Sequence, residues 1–237
     1  RGPATSIVVE GVDVPSGVLA DMRAAWASAL FDGFLRDDVE ALVTQWLAGD
    51  GYLQAEAEAV IREDAAAGTK QVALSVTPGP KYAARRIAFE GQQTLSSGAL
   101  MSVVETNRLT LTAWRRPAEV ETALTAHYRS LGFQQAAVSI GAPVFAGDVA
   151  TLPVTVREGP HFQIASVDIT GVAAASLERV QKAFGITAGT PYVPSALEAA
   201  RRAVEVDYLQ AGYNDVRVTL TSVADVERPS THLTLDV

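Results

Sequence analysis

Val156-Arg157-Glu158-Gly159-Pro160-His161-Phe162 repeats, eighty residues on, the pattern of Val76-Thr77-Pro78-Gly79-Pro80-Lys81-Tyr82. Two further markers keep the same phase. A hydrophobic residue two places before a glycine, with a polar residue between, recurs as Val9-Glu10-Gly11, Phe89-Glu90-Gly91 and Ile169-Thr170-Gly171, at steps of 80. A glycine followed by an aromatic recurs as Gly51-Tyr52, Gly132-Phe133 and Gly212-Tyr213, at steps of 81 and 80. Shared order and phase divide the chain into three like units, residues 1–82, 83–162 and 163–237. Arrays of like modules are, as a rule, binding architectures.

Composition narrows what such an array can bind. Hydrophobic residues make up 48% and charged residues 19%, which suits folded domains with modest cores. No apolar run approaches the roughly 20 residues of a membrane-spanning helix. The formal net charge of −8 divides as −6, +1 and −3 over the three units. This acidity argues against nucleic acid or anionic lipid as the main partner, because both demand neutralisation of phosphates by Lys and Arg. The small basic groups, Lys81 with Arg85 and Arg86, Arg115 with Arg116, and Arg201 with Arg202, read as solvated faces. Absence of cysteine removes disulfides and thiolate chemistry. The start at Arg1 reads as a mature or excised segment of a longer protein.

Each unit reads as β-α-α-β-β. Ile7-Val8-Val9, Ile87-Ala88-Phe89 and Val167-Asp168-Ile169 form the first strand. A first helix follows Ser96 and Ser97 with Leu100, Val103 and Val104, and follows Ser176 with Leu177, Val180 and Phe184. A second helix carries Val39, Val43 and Leu47, then Val120, Leu124 and Tyr128, then Ala200, Val204 and Tyr208. Steps of four place each trio on one stripe facing a sheet. Pro117 and Pro194 suit a first helical turn, and Asp37 with Asp38 read as helix-start residues. Gly51, Gly132 and Gly212 end the second helix with positive φ.

Strand two alternates through Ala55, Ala57 and Ala59, Ala136, Val138 and Ile140, and Val216, Val218 and Leu220. Strand three reads Val72, Leu74 and Val76, Leu152, Val154 and Val156, and Leu233, Leu235 and Val237. The fold class is therefore α+β: three modules, each a three-stranded mixed sheet covered by two helices. Strands two and three make a hairpin, and strand one lies parallel to strand three. The order 1-3-2 leaves strand two at an edge. Pro153 is awkward in a central strand and predicts either a local bulge or a different strand boundary there.

This module, with its strand-ending glycine, its Gly-Tyr/Phe and its Val-x-Glu-Gly-Pro-x-aromatic exit, resembles the POTRA (polypeptide-transport-associated) domain. Tandem copies are similar to the periplasmic arms of BamA- and TamA-type outer-membrane assembly factors. The resemblance covers all three units and is sharpest over Glu158-Gly159-Pro160-His161-Phe162. It departs in the first unit, where Thr77-Pro78 lacks the glutamate before Gly79 and the second strand is rich in alanine.

The resemblance implies a periplasmic arm, attached to the outer membrane through a C-terminal membrane β-barrel. It implies unfolded outer-membrane protein clients and periplasmic or lipoprotein partners, and no cofactor. The arm of a two-partner secretion transporter and a cell-division scaffold are the neighbouring readings. Open edge strands would take extended chains by backbone pairing. The candidate client-binding residues are Gln54, Glu56 and Glu58, Gln134, Gln135 and Ser139, and Asn214, Arg217 and Thr219. Pro78, Gly79 and Pro80, with Gly159 and Pro160, are candidate junctions between modules.

Nothing in the sequence points to an enzyme. No metal-binding, nucleophile-elbow, phosphate-loop or dinucleotide pattern is present. His127, His161 and His232 fall in different units or different elements. Trp26, Trp46 and Trp114 hold no repeating position and read as core residues.

Overall fold

A computed structural model describes residues 4–29, 31–64, 66–225 and 228–237. Three mixed sheets follow one another along the chain. In the first, β1 (Ala4–Glu10) runs parallel to β3 (Thr69–Thr77), which pairs antiparallel with β2 (Glu56–Asp64). In the middle one, β7 (Val149–Arg157) lies between β4 (Ala84–Glu90) and the strands β5 (Ala137–Ile140) and β6 (Val144–Ala146). In the last, β10 (Ser230–Asp236) lies between β8 (Gln163–Thr170) and β9 (Thr219–Ala224). The order 1-3-2 expected from the sequence holds in all three sheets.

Two compact units account for these contacts. Residues up to Ala88, with Arg108–Arg116 and Gly141–Pro153, form one. Phe89–Asn107, Pro117–Ile140 and Val154–Val237 form the other, so the middle repeat contributes to both.

In the first unit, helices α1 (Ser16–Ser28) and α2 (Asp32–Gly49) supply Met22, Leu35, Val39, Val43 and Leu47 to a core completed by Ala59, Val72, Leu74 and Val76. Trp26 and Trp46 pack partly buried against it. The expectation that Asp37 and Asp38 start the helix is corrected: α2 begins at Asp32, because Leu35 carries its apolar stripe one turn earlier. The short α4 (Thr112–Arg115) also belongs here.

In the second unit, α3 (Ser97–Thr106) is capped by Ser96, whose hydroxyl accepts from the Ala99 amide at 3.1 Å. Helix α5 (Pro117–Ser130) buries Val120, Leu124 and Tyr128 completely. Helices α6 (Leu177–Phe184) and α7 (Pro194–Gln210) cover the last sheet with Val180, Phe184, Leu197, Ala200 and Val204. Ser176 makes no side-chain cap, since a single 3-10 turn (Ala174–Ser176) already leads into α6. Tyr208 packs against this core only partly buried.

Pro153 does fall at an irregularity. Ile140 pairs with Val154 and Val144 with Thr151, so three residues of the edge oppose two of the central strand. The Pro153 carbonyl accepts from Gly141 at 2.9 Å, and its missing donor faces the break. The second strand of the middle module is therefore two short strands, where the sequence suggested one.

The spaced sequence markers are also spatial partners. The amide of Tyr82 donates to the carbonyl of Gly51, and that of Phe162 to Gly132, both at 3.0 Å. Gly132 has φ 95°, and a Cβ there would stand 2.7 Å from the Phe162 carbonyl. Each exit motif thus folds back on the glycine-aromatic pair of its own module. Lys81 lies over Tyr52, and His161 stacks on Phe133 at the equivalent place.

Candidate edge-strand binding site

Strands β2, β5 with β6, and β9 each pair on one side only among the described residues. Alternate residues of such a strand point both amide and carbonyl away from the sheet. Each edge also shows solvent one bare valine: Val60 is 45% exposed, Val144 58% and Val223 61%. The opposite margin of the last sheet is less open, because the Ile164 amide and carbonyl are taken by Thr190 and Gly189 of a loop.

One position of the second helix, eleven residues before the helix-ending glycine, reaches across to the edge strand in the first two modules and to the residue just before it in the third. Glu40 accepts from the Ala59 amide at 2.8 Å, and Glu121 accepts from the Ile140 amide at 2.7 Å. Arg201 fills the same place in the third module and donates to the Val218 carbonyl at 3.0 Å. Ala59 and Ile140 occupy equivalent places, eight residues after Gly51 and Gly132. Arg201 is itself held by Glu198 at 2.9 Å and Glu205 at 3.0 Å. Hydrogen bonds from Arg201, and then from Arg202, hold the Glu198 carboxyl down at about 2. The same contacts raise Arg201 above its ordinary value.

Beside Glu40 runs a groove of about 690 Å³ between α2 and β2, lined by Asp37, Thr44, Glu56, Glu58 and Arg115 among others. Its charged lining is mainly acidic, with Asp37, Glu40, Glu56 and Glu58 beside Arg115. Burial, with Arg116 nearby, lowers the Arg115 guanidinium from its usual value.

The residues singled out from sequence divide into two groups. Glu56 and Glu58 on β2, Ser139 on β5 and Thr219 on β9 stand exposed on the edges. Gln54, Gln134, Gln135 and Asn214 sit in the turns that precede them, and Arg217 lies two residues before β9. Gln54 accepts from the Tyr82 hydroxyl at 2.7 Å, and Gln134 donates to the carbonyls of Arg129 and Tyr192 at 2.9 and 2.6 Å. Gln54 thus ties down the exit segment of its module, and Gln134 ties its turn to the end of α5 and to the loop before α7. At the junctions, Gly79 and Gly159 share φ 70° and lie against Gln54 and Gln135, while Pro80 and Pro160 are exposed and Pro78 is half-buried.

The basic groups are not idle surface. Lys81 pairs with Asp50, Arg85 donates to the last carbonyls of α2 at Ala48 and Gly49, and Arg202 pairs with Glu198. Sequence reasoning missed Glu40, Glu121 and Arg201. The available signal was their common distance from the repeating glycine, beside the apolar stripe. The three histidines are dispersed: His127 on α5, His161 against Phe133, and His232 beside Ser166 on the last sheet. No described helix is long and apolar enough to cross a membrane.

Over residues 162–237 the chain matches the POTRA family model, described as a surface antigen variable number repeat. No curated protein matches it in sequence. Among solved structures it is similar to POTRA3-5 of BamA from Haemophilus influenzae, at 15% identity and a TM-score of 0.51, over 100% of this chain and 96% of that one. It also aligns with POTRA1-3 of the periplasmic domain of Omp85 from Anabaena, at 15% identity and TM-score 0.39, covering 99% and 93%. CdiB from Escherichia coli aligns at 16% identity and TM-score 0.32, over 95% of this chain and 36% of that one. The fold assignment rests on the Haemophilus structure together with the family match. Residues 162–237 match a POTRA domain, and the chain as a whole shares its fold with tandem POTRA domains.

Proposed function

We propose that this chain is the periplasmic polypeptide-binding arm of an outer-membrane β-barrel assembly or translocation factor. In this reading the modules divide at 82/83 and 162/163, and a membrane β-barrel belongs to the full-length protein. Extended segments of unfolded barrel clients, or of periplasmic and lipoprotein partners, add as strands to the open hairpin edges. The observation that carries the reading is the coincidence, in all three sheets, of unpaired edge backbone with an exposed valine. A backbone-paired client contributes little sequence dependence, which suits a receptor for many precursors. Glu56, Glu58, Ser139 and Thr219 flank the added strand, and Gln54, Gln134, Gln135, Asn214 and Arg217 mark where it begins. Pro78, Gly79, Pro80, Gly159 and Pro160 set the direction of the chain between modules.

The test places a photocrosslinking residue at Glu58, Ser139 or Thr219, and at Ser6 or Asp168 on the first strands as controls. An unfolded outer-membrane protein is then offered. Crosslinks confined to the hairpin edges support strand addition. Equal yields at both margins, or none at either, reject it.

A further inference from the structure

We propose that the helix position occupied by Glu40, Glu121 and Arg201 is an edge latch, holding each hairpin margin shut until an incoming strand displaces it. The proposal rests on the strand-addition reading above. Four observations converge on it. The position is the same in all three modules, although the sequence around it differs. Its side chain bridges to the edge strand in the first two modules, at 2.8 and 2.7 Å, and in the third to Val218, the residue before β9, at 3.0 Å. Two of the bonds take an edge-strand amide that an added strand would need, those of Ala59 and Ile140, and the third takes the carbonyl of Val218 just ahead of β9. Finally, all three bonds are part-buried, with the Ala59 and Val218 side chains packed into the cores of their sheets.

The chemistry of the latch differs between modules. A carboxylate satisfies an amide in the first two, and a guanidinium satisfies a carbonyl in the third. Both are charge-assisted bonds to a neutral backbone group, stronger than the neutral pairing that replaces them. An unoccupied edge is thereby protected against pairing with a second copy of the chain. A client opens it only when several backbone bonds form together, with side-chain contacts to the valine face. The released Glu40 then joins Asp37, Glu56 and Glu58 along one groove, so the first edge favours strands that carry lysine or arginine.

The experiment uses the whole chain with E121A, and with E121Q, which keeps an acceptor oxygen. Amide hydrogen exchange at Ile140 is read first. Binding of an eight-residue peptide of alternating threonine and valine, with lysine at each end, is read second. E121A is expected to speed exchange at Ile140 about tenfold, the consequence of losing one charge-assisted bond. It is expected to raise peptide affinity severalfold, while E121Q stays near wild type in both. Slowed or unchanged exchange at Ile140 overturns the latch. So does faster exchange without tighter peptide binding. If wild type binds the peptide and E121A binds it equally, the latch alone fails and strand addition stands. If neither binds the peptide and crosslinks to unfolded client are also absent from the edges, both fail.

Discussion

The Tyr128 hydroxyl donates to the Glu158 carboxylate at 3.1 Å, joining the second helix of the middle module to its exit motif across 30 residues of sequence. The same carboxylate accepts the amides of Gln93 and Thr94 and the Thr94 hydroxyl. It thus closes the loop after β4 onto the end of β7. Burial pushes the Glu158 carboxyl up, but the bonds from Thr94, Gln93 and Tyr128 outweigh it and hold the group below the usual carboxylate range. Burial and the neighbouring carboxylate raise the Tyr128 phenol.

Removing this acceptor strands the buried Tyr128 hydroxyl and takes the partner from the part-buried donors of Gln93 and Thr94, so E158A is expected to lower unfolding stability by about 1–3 kcal/mol. The folded carboxyl titrates lower than the unfolded one, at about 4.3. Its contribution is therefore complete above that value and is lost as pH falls through the folded value. Urea unfolding of wild type and E158Q between about pH 6 and 3 checks the sign. Wild type should lose its advantage over E158Q on the acid side.

Gly132 and Gly212 have nearly the same φ, 95° and 94°, yet only Gly132 faces a carbonyl where a Cβ would stand. G212A is expected to cost about 1 kcal/mol for the left-handed backbone alone. G132A should cost at least about 1 kcal/mol more, because the Phe162 strap must shift. Paired denaturant curves give the difference.

Leu124 has no exposed surface and Leu209, on the next long helix, is 44% exposed. L124A should destabilise by about 2–5 kcal/mol, whereas L209A should stay within about 0.5 kcal/mol of wild type. Thermal or urea unfolding of the two variants tests whether the stripe read from the sequence is the core.

The exposed edge valines are expected to act in binding and not in folding. V60K, V144K and V223K should each leave stability within about 0.5 kcal/mol. Combined, they should reduce photocrosslinking of unfolded client at Glu58, Ser139 and Thr219. Unchanged crosslinking in the triple variant would remove the valine face from the binding surface.

Two levels of determination are visible in this protein. Three repeating markers and two hydrophobic periods were enough to establish the β-α-α-β-β module, the 1-3-2 order and most of the core, because those depend on local spacing and on the short reach of hairpins and helix pairs. Even the bulge at Pro153 was legible, since a proline inside a central strand leaves few geometries open. The start of α2 was misread at Asp37 and Asp38 because acidic residues favour a helix start locally, and the burial of Leu35 overrode that preference. What each polar side chain does was a matter for tertiary structure. Gln54 and Gln134 turned inward to hydroxyls and carbonyls, Glu158 gathered donors from two elements, and Glu40, Glu121 and Arg201 crossed to backbone groups on another element. Such partners lie many residues apart in the chain and within hydrogen-bond reach only after the sheets and helices have packed, so no periodicity in one dimension announces them.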